Sequence, residues 1–213
     1  MNTHAPQTSQ FDLLRQRRFL PFFLTQALGA FNDNLFRNAL LVMLTYRIAG
    51  IDAAQAGVYA NVAAALFILP FFLFSAMAGQ WAEKYEKARL IRWIKLAEIP
   101  IMVLGVLGFY LQSVPFLLGV LFLMGTQSAV FGPLKYALMP QHLKSWELVG
   151  GNAWVETGTF LAILLGTLAG GVLVGLPNGD LWVAISIVGL AVLGYLSARQ
   201  IPLAPPTAPD LIL

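Results

Sequence analysis

A carboxylate and a guanidinium stand one helical turn apart in the middle of an apolar stretch. Phe19 to Leu44 reads FLPFFLTQALGAFNDNLFRNALLVML, and Asn32, Asp33, Asn34, Arg37 and Asn38 interrupt it. The i, i+4 spacing puts Asp33 and Arg37 on one helix face, the acid N-terminal to the base. Asn34 and Asn38 share the adjacent stripe. Charges at membrane depth are heavily penalised by desolvation and mark a site or a pathway. The pattern reads as a polar face lining a substrate cavity. The competing reading is a self-neutralised pair packed against another helix.

Two further stretches carry chemistry. Asn152 and Glu156 repeat the i, i+4 spacing in a later apolar run. Glu156 is expected about 12 Å in from the start of that run, at 1.5 Å per residue. It either binds a cation or carries a proton, or it partners a base such as Lys135. The stretch FGPLKY, Phe131 to Tyr136, places Lys135 beside Pro133. A proline there is expected to break or bend its helix, and freed carbonyls at membrane depth face a cavity. Lys135 either aims its ammonium at an anionic phosphate in that cavity or snorkels to the interface.

The elements that hold these residues follow from composition. The 213 residues are 58% hydrophobic and 11% charged, with mean hydropathy +0.73. That leaves too little polar surface to coat a soluble core, so the chain is expected to be an all-α integral membrane protein. Six spans are expected, at roughly Phe19–Tyr46, Gly57–Trp81, Leu90–Leu111, Val114–Leu138, Leu148–Leu176 and Asp180–Ala198. The third and fourth are split only by Gln112-Ser113, the fifth and sixth by a Pro177-Asn178-Gly179 turn. Residues 1–18 are expected as an N-terminal segment, 19–199 as the bundle and 200–213 as a Pro-rich linker. No cleavable signal peptide is evident.

Basic residues set the expected orientation. Arg15, Arg17 and Arg18 precede helix 1. Lys84, Lys87, Arg89, Arg92 and Lys95 surround the helix 2–3 loop, Lys135 and Lys144 flank the helix 4–5 loop, and Arg199 follows helix 6. Only Arg47 falls on the other side. Both termini are therefore expected in the cytoplasm, and the bases are sorted by membrane side rather than gathered for nucleic acid. Lys95 and Glu98 are expected at the interface. Trp81, Trp93, Trp146 and Trp182 fall near helix ends, as belt residues do. Gly158, Ala162, Gly166 and Gly170 recur every fourth residue, a small-residue stripe for close helix packing. With no cysteine and two distant histidines, His4 and His142, neither a disulfide nor a thiolate or histidine metal site is expected. No nucleotide loop, catalytic triad or paired-carboxylate pattern appears, so no enzymatic role and no cofactor is expected.

The helix 2–3 junction, GQWAEKYEKAR from Gly79 to Arg89, resembles the loop signature of the major facilitator superfamily, with Glu83 in place of the usual aspartate. FNDN (Phe31–Asn34), GPLKY (Gly132–Tyr136), GNAWVE (Gly151–Glu156) and AILLGTLAGG (Ala162–Gly171) together resemble the bacterial lysophospholipid transporter family of that superfamily. The resemblance runs from about Phe19 to Arg199 and implies the N-terminal six-helix half of such a transporter. It implies inward movement of lysophospholipids such as lysophosphatidylethanolamine across the inner membrane, for re-acylation. It also implies that Asp33 and Asn34 match the family's helix 1 pair, Lys135 its helix 4 lysine and Glu156 its helix 5 glutamate. Together with Arg37 and Asn152 these form the expected headgroup site. An ethanolamine ammonium would meet Asp33 or Glu156, and a phosphate Lys135 or Arg37. The implied partners are membrane lipids, the C-terminal six-helix half and a phospholipid acyltransferase, which many relatives carry fused. Two other functions compete: a small-molecule efflux permease of the same superfamily, and a non-transporting membrane anchor for a fused acyltransferase.

Overall fold

The computed structural model describes residues 10–46 and 52–212. Arg47 and His4 lie outside the described residues. Six long helices dominate: α1 (Leu20–Tyr46), α2 (Ala53–Lys84), α3 (Lys87–Leu111), α4 (Val114–His142), α5 (Leu148–Gly175) and α6 (Gly179–Ala198). Short 3₁₀ turns precede α1 at Gln10–Arg15 and α5 at Ser145–Glu147, and no strand occurs among the described residues. Helices α2 to α6 are each long and apolar enough to cross a membrane. The polar cluster Asn32 to Asn38 dilutes α1, which is nonetheless 27 residues long. At 1.5 Å per residue it matches the others in reach.

Local chemistry accounts for the helix ends. Asp52 caps α2, accepting from Gln55 N at 2.7 Å. Glu86 caps α3 by accepting from the amides of Ala88 and Arg89, two of the four donors that a helix start leaves unpaired. Gln112, at φ 49°, ends α3 in the left-handed region, and Asn178, at φ 56°, makes the α5–α6 turn. Pro133 does not end α4, which runs unbroken through Pro133 and Pro140. Of the break or bend expected there, the break does not occur. A proline inside a long membrane helix removes one ladder bond, and packing against neighbouring helices tolerates the loss.

The glycine stripe determines the tightest contact. A Cβ on Gly166 would collide with the Phe31 carbonyl, and one on Gly170 with the Leu35 carbonyl. Helix α5 therefore lies backbone against backbone on α1, and this is the most extensive helix pair, followed by α2 on α4. Gly125 plays the same part on α4, facing the Phe67 carbonyl of α2. Outward faces are apolar: Phe72 is 83% exposed, with Val103, Phe160, Leu168 and Ile185 also exposed. This is surface that suits lipid rather than water. Two buried apolar clusters fill the interior. One holds Leu35, Phe36, Met43, Met102 and Leu121, the other Phe19, Phe22, Ile91, Leu138 and Val155. On α1 the polar residues from Gln26 to Asn34 fall between them.

The segment expected as a linker is docked on the bundle. Ile201 and Ala204 are buried. Ala204 N donates to the Glu86 carboxylate at 2.7 Å, and Ala204 O accepts from Lys87 N at 2.9 Å. The Lys87 ammonium donates to Pro205 O and to Thr207 Oγ1. Arg92 donates to Ile201 O. The strap thus buckles the α2–α3 corner, the part of the chain with the loop signature.

Candidate functional site

A cavity of about 290 Å³ opens between α1, α2, α4 and α5, with Lys95 of α3 at its inner wall. Helix α1 contributes Gln26, Gly29, Asp33 and Asn34, and α4 contributes Gln127, Ser128, Phe131 and Lys135. Three of the six expected site residues, Asp33, Asn34 and Lys135, therefore line one cavity. Glu156 stands at its edge. Its carboxylate lies 3.3 Å from the Lys135 ammonium, and its side chain is 43% exposed. Tyr136 Oη donates to the same oxygen at 3.1 Å. Of the two readings of Glu156, the base-partner one describes this geometry.

Arg37 and Asn152 are placed elsewhere. Arg37 donates to Asn34 Oδ1 at 2.6 Å and lies over the Phe67 ring, 5.6 Å from its centroid. The expected i, i+4 pairing with Asp33 does not form. Asp33 instead accepts from Ser128 Oγ of α4 at 2.7 Å. A neighbouring helix offered a hydroxyl to the acid, while Asn34 offered an acceptor to the base one residue closer. Asn152 is exposed on α5 and does not line the cavity. Asn38 ties α1 to α5, donating to Thr167 O at 2.7 Å.

Sequence reasoning missed the charged pair behind the cavity. Lys95 and Glu98 are buried at 2% exposure each, not interfacial, and their charged groups lie 2.7 Å apart. Gln127 Nε2 donates to Glu98 Oε2 at 3.0 Å, and Asn32 Nδ2 donates to Glu98 Oε1 at 3.0 Å and to Ile187 O of α6 at 3.1 Å. Ser128 joins this network to Asp33, its hydroxyl lying 3.2 Å from Gln127 Oε1. A polar chain thus runs from the cavity into the core through four helices, α1, α3, α4 and α6. The available signal was Gln127, an amide in the middle of an apolar helix, together with an acid and a base at i, i+3. No group of three or more metal-ligating side chains occurs among the described residues.

The arrangement can hold a small ligand carrying both signs of charge. Asp33 offers a carboxylate, Lys95 and Lys135 offer ammonium groups, and Phe67, Phe71 and Ile163 supply apolar wall. At about 290 Å³ the space lies near the lower bound for small-molecule sites. A polar headgroup fits such a volume, and a long acyl chain must lie outside it.

Comparison with known proteins decides which ligands this chemistry is compared with. Lysophospholipid transporter LplT of Salmonella arizonae is 30% identical over 182 residues, covering 84% of this chain and 40% of the relative. The chain is similar to the lysophospholipid transporters over this stretch. The protein of the same name from Enterobacter sp. strain 638 is 28% identical over 184 residues, covering 86% of this chain and 42% of its own length. The chain thus spans about two-fifths of the length of the curated relatives it matches. No family model and no solved structure matches it. With these relatives and five helices long and apolar enough to cross a membrane, the chain is a membrane protein.

Proposed function

We propose that this chain forms one half of a transporter that moves lysophospholipids, such as lysophosphatidylethanolamine, across the inner membrane for re-acylation. The observation that carries the proposal is the cavity in which Asp33 and Lys135 present opposite charges within a headgroup-sized volume. A zwitterionic headgroup supplies the complement, with its ammonium at Asp33 and its phosphate at Lys135, through charge-assisted hydrogen bonds. In this reading both termini are cytoplasmic, and the Lys- and Arg-rich loops lie on that side. A further six-helix body faces the cavity and completes the site, because substrates of such carriers bind between two repeats. The single acyl chain runs over apolar helix surface. No catalytic step is assigned to the chain.

Uptake of radiolabelled lysophosphatidylethanolamine into spheroplasts tests the reading. Asp33→Ala and Lys135→Ala in the full-length protein are each expected to lower uptake by about tenfold or more, the scale of a lost charge-assisted bond. Uptake unchanged by both substitutions would show that the cavity does not carry lysolipid. Uptake indifferent to the headgroup would favour a general efflux permease instead.

A further inference from the structure

The buried Lys95–Glu98 pair has no task in the reading above. Lys95 rises from α3, and its stem passes α6, where a Cβ on Gly194 would stand 3.8 Å from Lys95 Cδ. Its ammonium ends against Gly29 of α1, where an added methyl group would collide with Nζ. The Phe131 ring of α4 lies 5.2 Å from the same nitrogen. Four helices therefore fix the position of one cation, and that cation borders the cavity.

The hydrogen bonds around the pair are uneven. An ammonium has three donors, and the 2.7 Å bond to Glu98 is the one that Lys95 makes among the described residues. Glu98 is engaged through both oxygens, accepting from Lys95 and Gln127 on one and from Asn32 on the other. An acceptor anchored from α1 and α4 orients the Lys95 ammonium while leaving donors on it for a ligand. Arg37, the cation that the sequence favours alongside Lys135, is committed to Asn34 and Phe67.

We infer that Lys95 is a second phosphate-binding residue of the cavity, acting with Lys135 on a lipid phosphate diester, and that Glu98 is a positioning residue that holds Lys95 in place. The inference rests on the lysophospholipid reading and deepens it. Two ammonium groups from different helices then hold one phosphate, while Asp33, oriented by Ser128, takes the cationic end of the headgroup.

The test compares two ligands with the same acyl chain, lysophosphatidylethanolamine and monoacylglycerol, binding to the full-length protein in lipid nanodiscs. The double variant Lys95→Met, Glu98→Gln removes both buried charges at nearly constant volume, so neither is left unpaired. It is expected to weaken lysophosphatidylethanolamine binding by about tenfold or more and monoacylglycerol binding by less than about twofold. Equal losses for the two ligands would reveal a merely structural pair and overturn the inference, as would no loss for either. Glu98→Gln alone keeps the ammonium but loosens it, and is expected to lower the ratio of the two affinities by less than the double variant does. A ratio equal to that of the unsubstituted protein would remove Glu98 from the assignment. If the unsubstituted protein binds neither lipid, the lysophospholipid reading fails with this one. If it binds lysophosphatidylethanolamine in a way that needs Asp33 and Lys135 but not Lys95, only this inference fails.

Discussion

Lys135 on α4 meets Glu156 on α5 at 3.3 Å, across a boundary where those two helices barely touch. The pair spans the edge of the cavity. For Lys135 to donate to a phosphate, it must share or leave Glu156. A partly exposed ion pair of this kind is worth at most about 1 kcal/mol. Glu156→Gln is therefore expected to raise affinity for a phosphate-bearing lysolipid by roughly twofold to fivefold. Thermal stability should move little. Binding isotherms in nanodiscs read the first quantity, and a fall in affinity would mean that Glu156 contacts the ligand itself.

Gly29 gives a probe of Lys95 that changes no charge. Gly29→Ala places a methyl group against the Lys95 ammonium. The atom met is the far end of a flexible side chain, so the helix does not have to move. Alanine also favours the helix by about 0.5–1 kcal/mol over glycine. The melting temperature is expected to hold or rise, while affinity for lysophosphatidylethanolamine falls by roughly threefold to tenfold. Unchanged affinity with a resolved Lys95 displacement would argue against a binding role for that ammonium.

At Gly166 the same substitution has the opposite effect on stability. The added methyl group meets the Phe31 carbonyl, which is backbone and cannot swing aside. Overpacking of this sort costs about 1–3 kcal/mol, more than the helix propensity gained. Gly166→Ala should lower the melting temperature in detergent. Gly175→Ala, with nothing within 4 Å of the new carbon, serves as the control and should not. Equal melts for the two would contradict the backbone contact between α1 and α5.

Glu98→Leu strands the Lys95 ammonium in the core. Removing one partner of a buried pair costs about 3–5 kcal/mol, because the remaining charge is uncompensated. Adding Lys95→Met to Glu98→Leu should restore most of that loss. Chemical denaturation in mild detergent, compared between single and double variants, measures the recovery. A double variant no more stable than Glu98→Leu alone would place the energetic weight on Asn32 and Gln127 instead.

Much of the frame was legible because its signals are local. Gln112-Ser113 interrupts two apolar runs, and α3 and α4 part at that point. The stripe from Gly158 to Gly170 announced a close contact, although not that α1 would be the partner. Asp33, Asn34 and Lys135 stood out as charged or polar residues in apolar surroundings. The pairing of those groups was not legible. The i, i+4 rule joins Asp33 to Arg37 within one helix, but Ser128 arrives from α4 and Asn34 is nearer the guanidinium. Lys95 and Glu98 sit within about three turns of a basic loop and read as interfacial. Only Asn32 and Gln127, distant in sequence, mark them as core.

The two closest helix pairs, α1 with α5 and α2 with α4, touch one another only lightly. Each pair is held internally by glycines facing carbonyls, and the pairs are joined through α6, which packs on α1 and α3, and through α3 on α4. The cavity lies on the seam between them, and the Asn32–Glu98–Gln127 tie closes its inner end. The bundle is therefore built like a clothes peg at rest: two glycine-locked arms, a polar tie at the inner end, and the cavity between them. Lys135 and Glu156, one on each arm, meet across the open side of that cavity.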